Sequence, residues 1–111
     1  MGAPSDILGL GELRTVTADS TTLNLPTGHA QYELVAPSSQ NVDIIKRSAR
    51  EGQIIMLCGP DSNTVTVRDG ETGSNISLAN GSTSRALSQY DTLILRYQNE
   101  LWIEVAFTNA V

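Results

Sequence analysis

Between Glu51 and Val105 the chain carries six short segments, QIIMLC, NTVTVRD, NISLA, SRAL, DTLILRY and ELWIEV, each set off by Gly, Asn, Asp or Ser. Runs this short and this rich in β-branched residues read as strands, because helices need longer periodic stretches between breakers. Strands at this density confine the chain to an all-β fold. The same residues leave little for chemistry: there is one His, one Cys and one Lys in 111 residues. Such a chain presents surface and adheres to something rather than catalysing.

Alternation assigns faces along most of these segments. In NTVTVRD, Val65 and Val67 point inward while Thr64, Thr66 and Arg68 face solvent. The continuous run Ile54, Ile55, Met56 and Leu57 predicts a strand covered on both faces. Three earlier strands are expected around LRTVTA, TTLNL and AQYELVA, with turns at Asp19-Ser20 and Pro26-Thr27-Gly28. The third of them places Tyr32, Leu34 and Ala36 on one face. Pro37 to Asn41 reads as a loop and VDIIKR as a strand, and Asn80-Gly81 is a strong turn signal. The last two segments predict a hairpin joined through Gln98-Asn99, with Leu93, Leu95 and Tyr97 facing Leu101, Ile103 and Val105 in the core. That arrangement turns Trp102 outward, beside Glu104 and Ala106. Together these strands predict a jelly-roll-like β-sandwich of about nine or ten short antiparallel strands. The single sandwich domain would span residues 13–111 and follow residues 1–12, whose Ile7, Leu8 and Leu10 are too apolar for a free tail and read either as a first strand edge or frayed terminus, or as an N-terminal arm that docks on a neighbouring subunit.

Charge and length exclude several classes of function. The net charge is −5 and the seven basic residues read as dispersed, so the expectation is no nucleic-acid partner. No apolar run approaches the roughly 20 residues that cross a bilayer, and no membrane association is expected. The start shows neither a secretory signal nor a myristoylation sequence, since Asp6 stands where Ser or Thr is needed. A lone Cys58 excludes an internal disulfide and suits a reducing cytoplasm.

Candidate sites are few, and each has a plain structural alternative. His29, the sole imidazole, would have to serve any Ser-His-Asp triad, yet no GxSxG elbow exists and His29 follows a turn glycine. Cys58 closes the most apolar strand and reads as a small core filler. Asp61, Asn63, Asp69 and Glu71 offer oxygen ligands in two loops, but without EF-hand spacing, and solvated acids are the default reading. No catalytic residue, metal or cofactor is therefore assigned. Trp102 and Tyr90 can stack on a sugar or pack against a partner. The sequons Asn75-Ile76-Ser77 and Asn80-Gly81-Ser82 read as turn chemistry.

The segments EGQIIML, NTVTVRDG, SNISLANGS and LSQYDTLILRYQNELWIEV, in that order, resemble a β-module common in tailed-bacteriophage virion proteins. In that module a GQxIxL strand precedes a VTV strand and an NIxL strand, and a terminal hairpin ends in W-x-E. Within the group, the length and the acidic, Thr- and Ser-rich composition are similar to the capsid decoration (staple) proteins of epsilon-15-like podophages. The resemblance covers about half the chain, from Glu51 to Val105, and the first fifty residues match none of its motifs. It implies a jelly-roll-like fold, no enzymatic activity, and a structural role on the outer surface of the virion capsid after synthesis in the host cytoplasm. The implied partners are the major capsid protein and a second copy of the chain, as a homodimer bridging neighbouring capsomers. Ile7, Leu8, Leu10 and Trp102 are the candidate contact residues. A domain of a tail fibre or spike that binds host glycan is the alternative, although a chain complete from Met1 argues for the decoration protein. A cupin-like enzyme is opposed by the shortage of His.

Overall fold

The computed structural model describes residues 11–110. Eleven strands run through them: β1 (Leu13–Thr17), β2 (Thr22–Asn24), β3 (Gln31–Val35), β4 (Gln40–Val42), β5 (Ile44–Lys46), β6 (Ile54–Cys58), β7 (Val65–Arg68), β8 (Ile76–Ser77), β9 (Ser84–Leu87), β10 (Thr92–Gln98) and β11 (Leu101–Thr108). One short 3₁₀ turn, Ala79–Gly81, carries the Asn80-Gly81 signal, with positive φ at both residues. The strands form three sheets, ordered β1-β3-β6-β10-β11-β8, β2-β5 and β4-β7-β9. Their inner faces share one core that includes Leu23, Tyr32, Leu34, Val42, Ile45, Ile55, Leu57, Val65, Val67, Leu87, Leu93, Leu95 and Trp102. The all-β expectation holds, and the several packed sheets are compatible with a sandwich.

Strand sense corrects the antiparallel expectation. Five of the eight pairings are parallel: β1 with β3, β3 with β6, β2 with β5, β4 with β7, and β8 with β11. Between β1 and β3 the chain leaves the large sheet to lay down β2; between β3 and β6 it lays down β4 and β5. It therefore winds as a coil whose successive turns stack strand on strand, and parallel neighbours follow from that winding. Antiparallel pairing enters with the C-terminal strands, where β10 joins β6, β11 joins β10, and β9 joins β7. The C-terminal strands thus extend two of the sheets beyond the last parallel strands of the coil. Among the described residues, β1, β2 and β4 end their sheets on one side, and β8, β5 and β9 on the other.

Asn75 continues the β2-β5 stack with a side chain. Its Nδ2 donates to Ile45 O at 2.8 Å and its Oδ1 accepts from Ile45 N at 2.9 Å, the two bonds a next strand would make. Its own carbonyl accepts from Trp102 N at 2.7 Å, which ties this small sheet to β11. The residue that reads as a sequon in sequence is a strand surrogate in the fold. Gly59 marks another close approach: a Cβ there would lie 1.9 Å from Ser88 O, so only glycine lets these two turns meet.

The terminal hairpin corrects the facing of its second strand. The turn is Asn99-Glu100, both at positive φ (54° and 64°), as a two-residue type I′ turn requires. Tyr97 therefore opposes Trp102, and Leu95 opposes Glu104. Placing the turn one residue earlier inverts every side chain of β11, because strand faces alternate. In consequence Trp102 is 0% exposed, whereas Leu101 and Val105, expected inside, are exposed. A bulge between Ile94 and Leu95 resets the register so that Leu93 opposes Phe107. Glu104 is tolerated on the inner face because Arg85 grips both its oxygens, Nε to Oε1 at 2.9 Å and Nη2 to Oε2 at 3.1 Å. Its Oε1 also accepts from Ala79 N at 3.1 Å.

Pro37 to Asn41 is only partly a loop, since Gln40 and Asn41 begin β4 alongside β7. Elsewhere the faces agree with alternation: Tyr32, Leu34 and Ala36 are buried, as are Val65 and Val67.

Candidate binding cleft

An open cleft of about 920 Å³ lies alongside β5, reaching from β1 and the turn after β2 to the junction of Asn75 with Trp102. Its cations are Arg14 from β1, Lys46 from β5, and Arg47 just beyond it. Among the described residues, no Asp or Glu contributes to its lining. In a chain with twelve acidic and seven basic residues, three cations with no carboxylate among the described lining residues give this cleft a charge opposite in sign to that of the whole.

The three cations differ in their freedom. Arg47 is built into the wall. Its Nε donates to Tyr32 Oη at 2.7 Å, Nη2 to His29 O at 2.6 Å, and Nη1 to Ser48 O at 2.6 Å. Tyr32 Oη lies 2.7 Å from both Pro26 O and His29 O, and its single proton serves one of them at a time. Buried Tyr32 and half-buried Arg47 thus pin the Pro26–His29 turn that forms one lip of the cleft. All these acceptors are neutral, so the guanidinium charge is solvated but not cancelled. Arg14 and Lys46 are exposed and make no ion pair with a described residue. By contrast, Arg68 is held by Asp43 (Nε to Oδ1, 2.7 Å; Nη2 to Oδ2, 2.8 Å), and this hydrogen-bonded pairing raises its already high pKa.

The aromatic floor is Tyr97 and Trp102, whose ring centroids lie 5.0 Å apart at 54°. Trp102 Nε1 is the one buried side-chain polar atom without a hydrogen-bond partner among the described residues. Leaving such a donor unpaired costs about 1–3 kcal/mol.

The outer edge of β1, unpaired among the described residues, adds a second kind of donor and acceptor. Along an extended strand, backbone groups alternate between its two edges. Ala18 N donates to Val35 O and Glu12 O lies 3.2 Å from His29 Nδ1, so the even-numbered residues face β3. The N–H and C=O groups of Leu13, Thr15 and Thr17 are therefore directed to the unpaired side, and Thr15 and Thr17 line the cleft.

The sequence-predicted positions fare differently. Trp102 belongs to the core and to the cleft floor, so it offers no outward contact face, which corrects its assignment as a surface contact residue. Ile7, Leu8 and Leu10 lie outside the described residues. Tyr90 is 74% exposed and adopts φ 72°, but with Trp102 buried the two form no shared stacking surface. His29 Nδ1 meets the Glu12 carbonyl, not a serine and an acid. Asp61, Asn63, Asp69 and Glu71 do not converge: Asn63 Nδ2 donates to Ala36 O at 2.7 Å, and Asp69 Oδ2 accepts from Leu78 N at 2.9 Å. No group of three potential metal-ligating side chains occurs among the described residues. Cys58 is half-buried, and burial, then the Glu33 carboxylate, push its thiol pKa up.

Sequence reasoning missed the cleft itself. Arg14 is far from Lys46 and Arg47 in the chain, and only the winding brings them to one groove. The adjacent pair Lys46-Arg47, the densest basic point in the sequence, was the available signal. Neither a scan of protein-family models nor a search of curated proteins gives a match for this chain.

Proposed function

We propose that this protein is a structural adhesion module of a bacteriophage virion, decorating the capsid exterior and stapling neighbouring capsomers. The observation that carries the adhesive reading is the cleft: among the described residues it has three cations, no carboxylate and an unpaired strand edge, on an acidic molecule. The likeness of Glu51–Val105 to virion β-modules supports the setting. The positive charge of the cleft steers a partner segment of complementary charge into it. A decoration protein that binds only the assembled shell stabilises that state by mass action. A molecule or homodimer that touches two capsomers makes its second contact intramolecularly, so modest contacts suffice.

Imaging purified virions of the phage that encodes the chain tests the reading. Density for the protein over the shell is expected. Density at the tail would replace the reading with a fibre or spike module, and absence from particles would overturn both.

A further inference from the structure

We infer that the cleft receives an extended, acidic polypeptide segment, which adds as a new strand to the outer edge of β1 and sets its carboxylates against Arg14 and Lys46. The inference rests on the adhesive reading above and names the chemistry of the partner.

Two observations converge on that occupant. The outward N–H and C=O groups of Leu13, Thr15 and Thr17 match the repeat of another main chain, the basis of strand addition. An added strand along the five residues of β1 would extend over roughly 17 Å. Arg14 and Lys46 stand at the cleft without ion pairs among the described residues, so an incoming carboxylate displaces no internal partner.

Other polyanions fit less well. The cleft aromatics are Trp102, fully buried, and Tyr97, half-buried against it, so no exposed ring waits for a sugar or base. The net charge of −5 repels a polyanion that extends beyond the cleft. A second copy added antiparallel across β1 would bring Arg14 and Lys46 of both copies onto one face, like charge against like.

Trp102 is the sole tryptophan and supplies the readout. Full-length protein is titrated with a short blocked peptide alternating Val and Glu while Trp102 emission is followed. A saturable spectral change is expected, weakening as salt rises from about 0.05 to 0.5 M. The double variant Arg14→Glu/Lys46→Glu should bind at least about tenfold more weakly, with unchanged circular dichroism because both positions are exposed. Equal binding of the Val/Gln counterpart, tighter binding of polyglucuronate or of a single-stranded oligonucleotide, or no response at millimolar peptide each overturns the inference. A protein found on the shell that ignores the peptide overturns this inference alone. One that takes the peptide but is absent from virions overturns only the decoration reading.

Discussion

Replacing Asn75 by Ala should destabilise the protein far beyond what a loop residue warrants. The substitution removes two hydrogen bonds, at 2.8 and 2.9 Å, and orphans the N–H and C=O of Ile45, a residue 1% exposed. A made hydrogen bond is worth about 1 kcal/mol net, and a buried group left unpaired costs about 1–3 kcal/mol. The expected loss is therefore about 2–4 kcal/mol, allowing for water at the half-buried site. For a domain of this size that lowers Tm by roughly 10–20 °C. Urea unfolding followed by Trp102 fluorescence gives the free energy, and calorimetry gives Tm. Asn75→Asp sharpens the test. At neutral pH its carboxylate still accepts from Ile45 N but faces Ile45 O with no proton to share. Below pH about 4 the protonated acid can donate again, so the gap between Asn75→Asp and Asn75→Ala should move in favour of Asp as pH falls. A loss under 0.5 kcal/mol for Asn75→Ala, or no pH dependence of that gap, would refute the reading of Asn75 as a strand surrogate.

Two further outcomes follow from buried polar groups. Arg85→Met strands the Glu104 carboxylate, whose side chain is 5% exposed, and should cost about 3–5 kcal/mol. The double variant Arg85→Met/Glu104→Leu should recover most of that, as measured by urea midpoints. For Cys58, the raised folded-state pKa means that both states keep the proton below the ordinary thiol value near 8.5. Above it the unfolded chain loses its proton first, so stability declines as pH rises toward the folded value. Cys58→Val should flatten that alkaline decline between pH 8 and 10; parallel wild-type and variant curves would show the thiol to be uninvolved.

Local pattern carried the strands but not their partners. Alternation assigned Tyr32, Leu34, Val65 and Val67 correctly because a half-buried strand must alternate whatever lies beside it. Pairing sense left no such trace. The stacked strands begin at residues 13, 31 and 54, unequal intervals that give no detectable repeat, so the coil was invisible and antiparallel neighbours were the default. The final hairpin shows how sharp the limit is. Both Asn99 and Glu100 take positive φ, and reading Gln98-Asn99 as the turn moved Trp102 from the core to the surface. Arg14, Lys46 and Arg47 form a site only once the winding joins them. Asn75 gives no sign of its role in sequence, because a carboxamide that imitates a strand has the same signature as one that stabilises a turn.

Sedimentation of the protein with decoration-free shells, in its wild-type form and as Arg14→Glu/Lys46→Glu, bears most directly on the adhesive cleft. The wild type should pellet with shells in a salt-sensitive manner, while the charge-reversed protein, equally folded, stays in the supernatant. Equal pelleting of the two would contradict the account by showing that whatever holds the protein to its partner lies elsewhere on its surface.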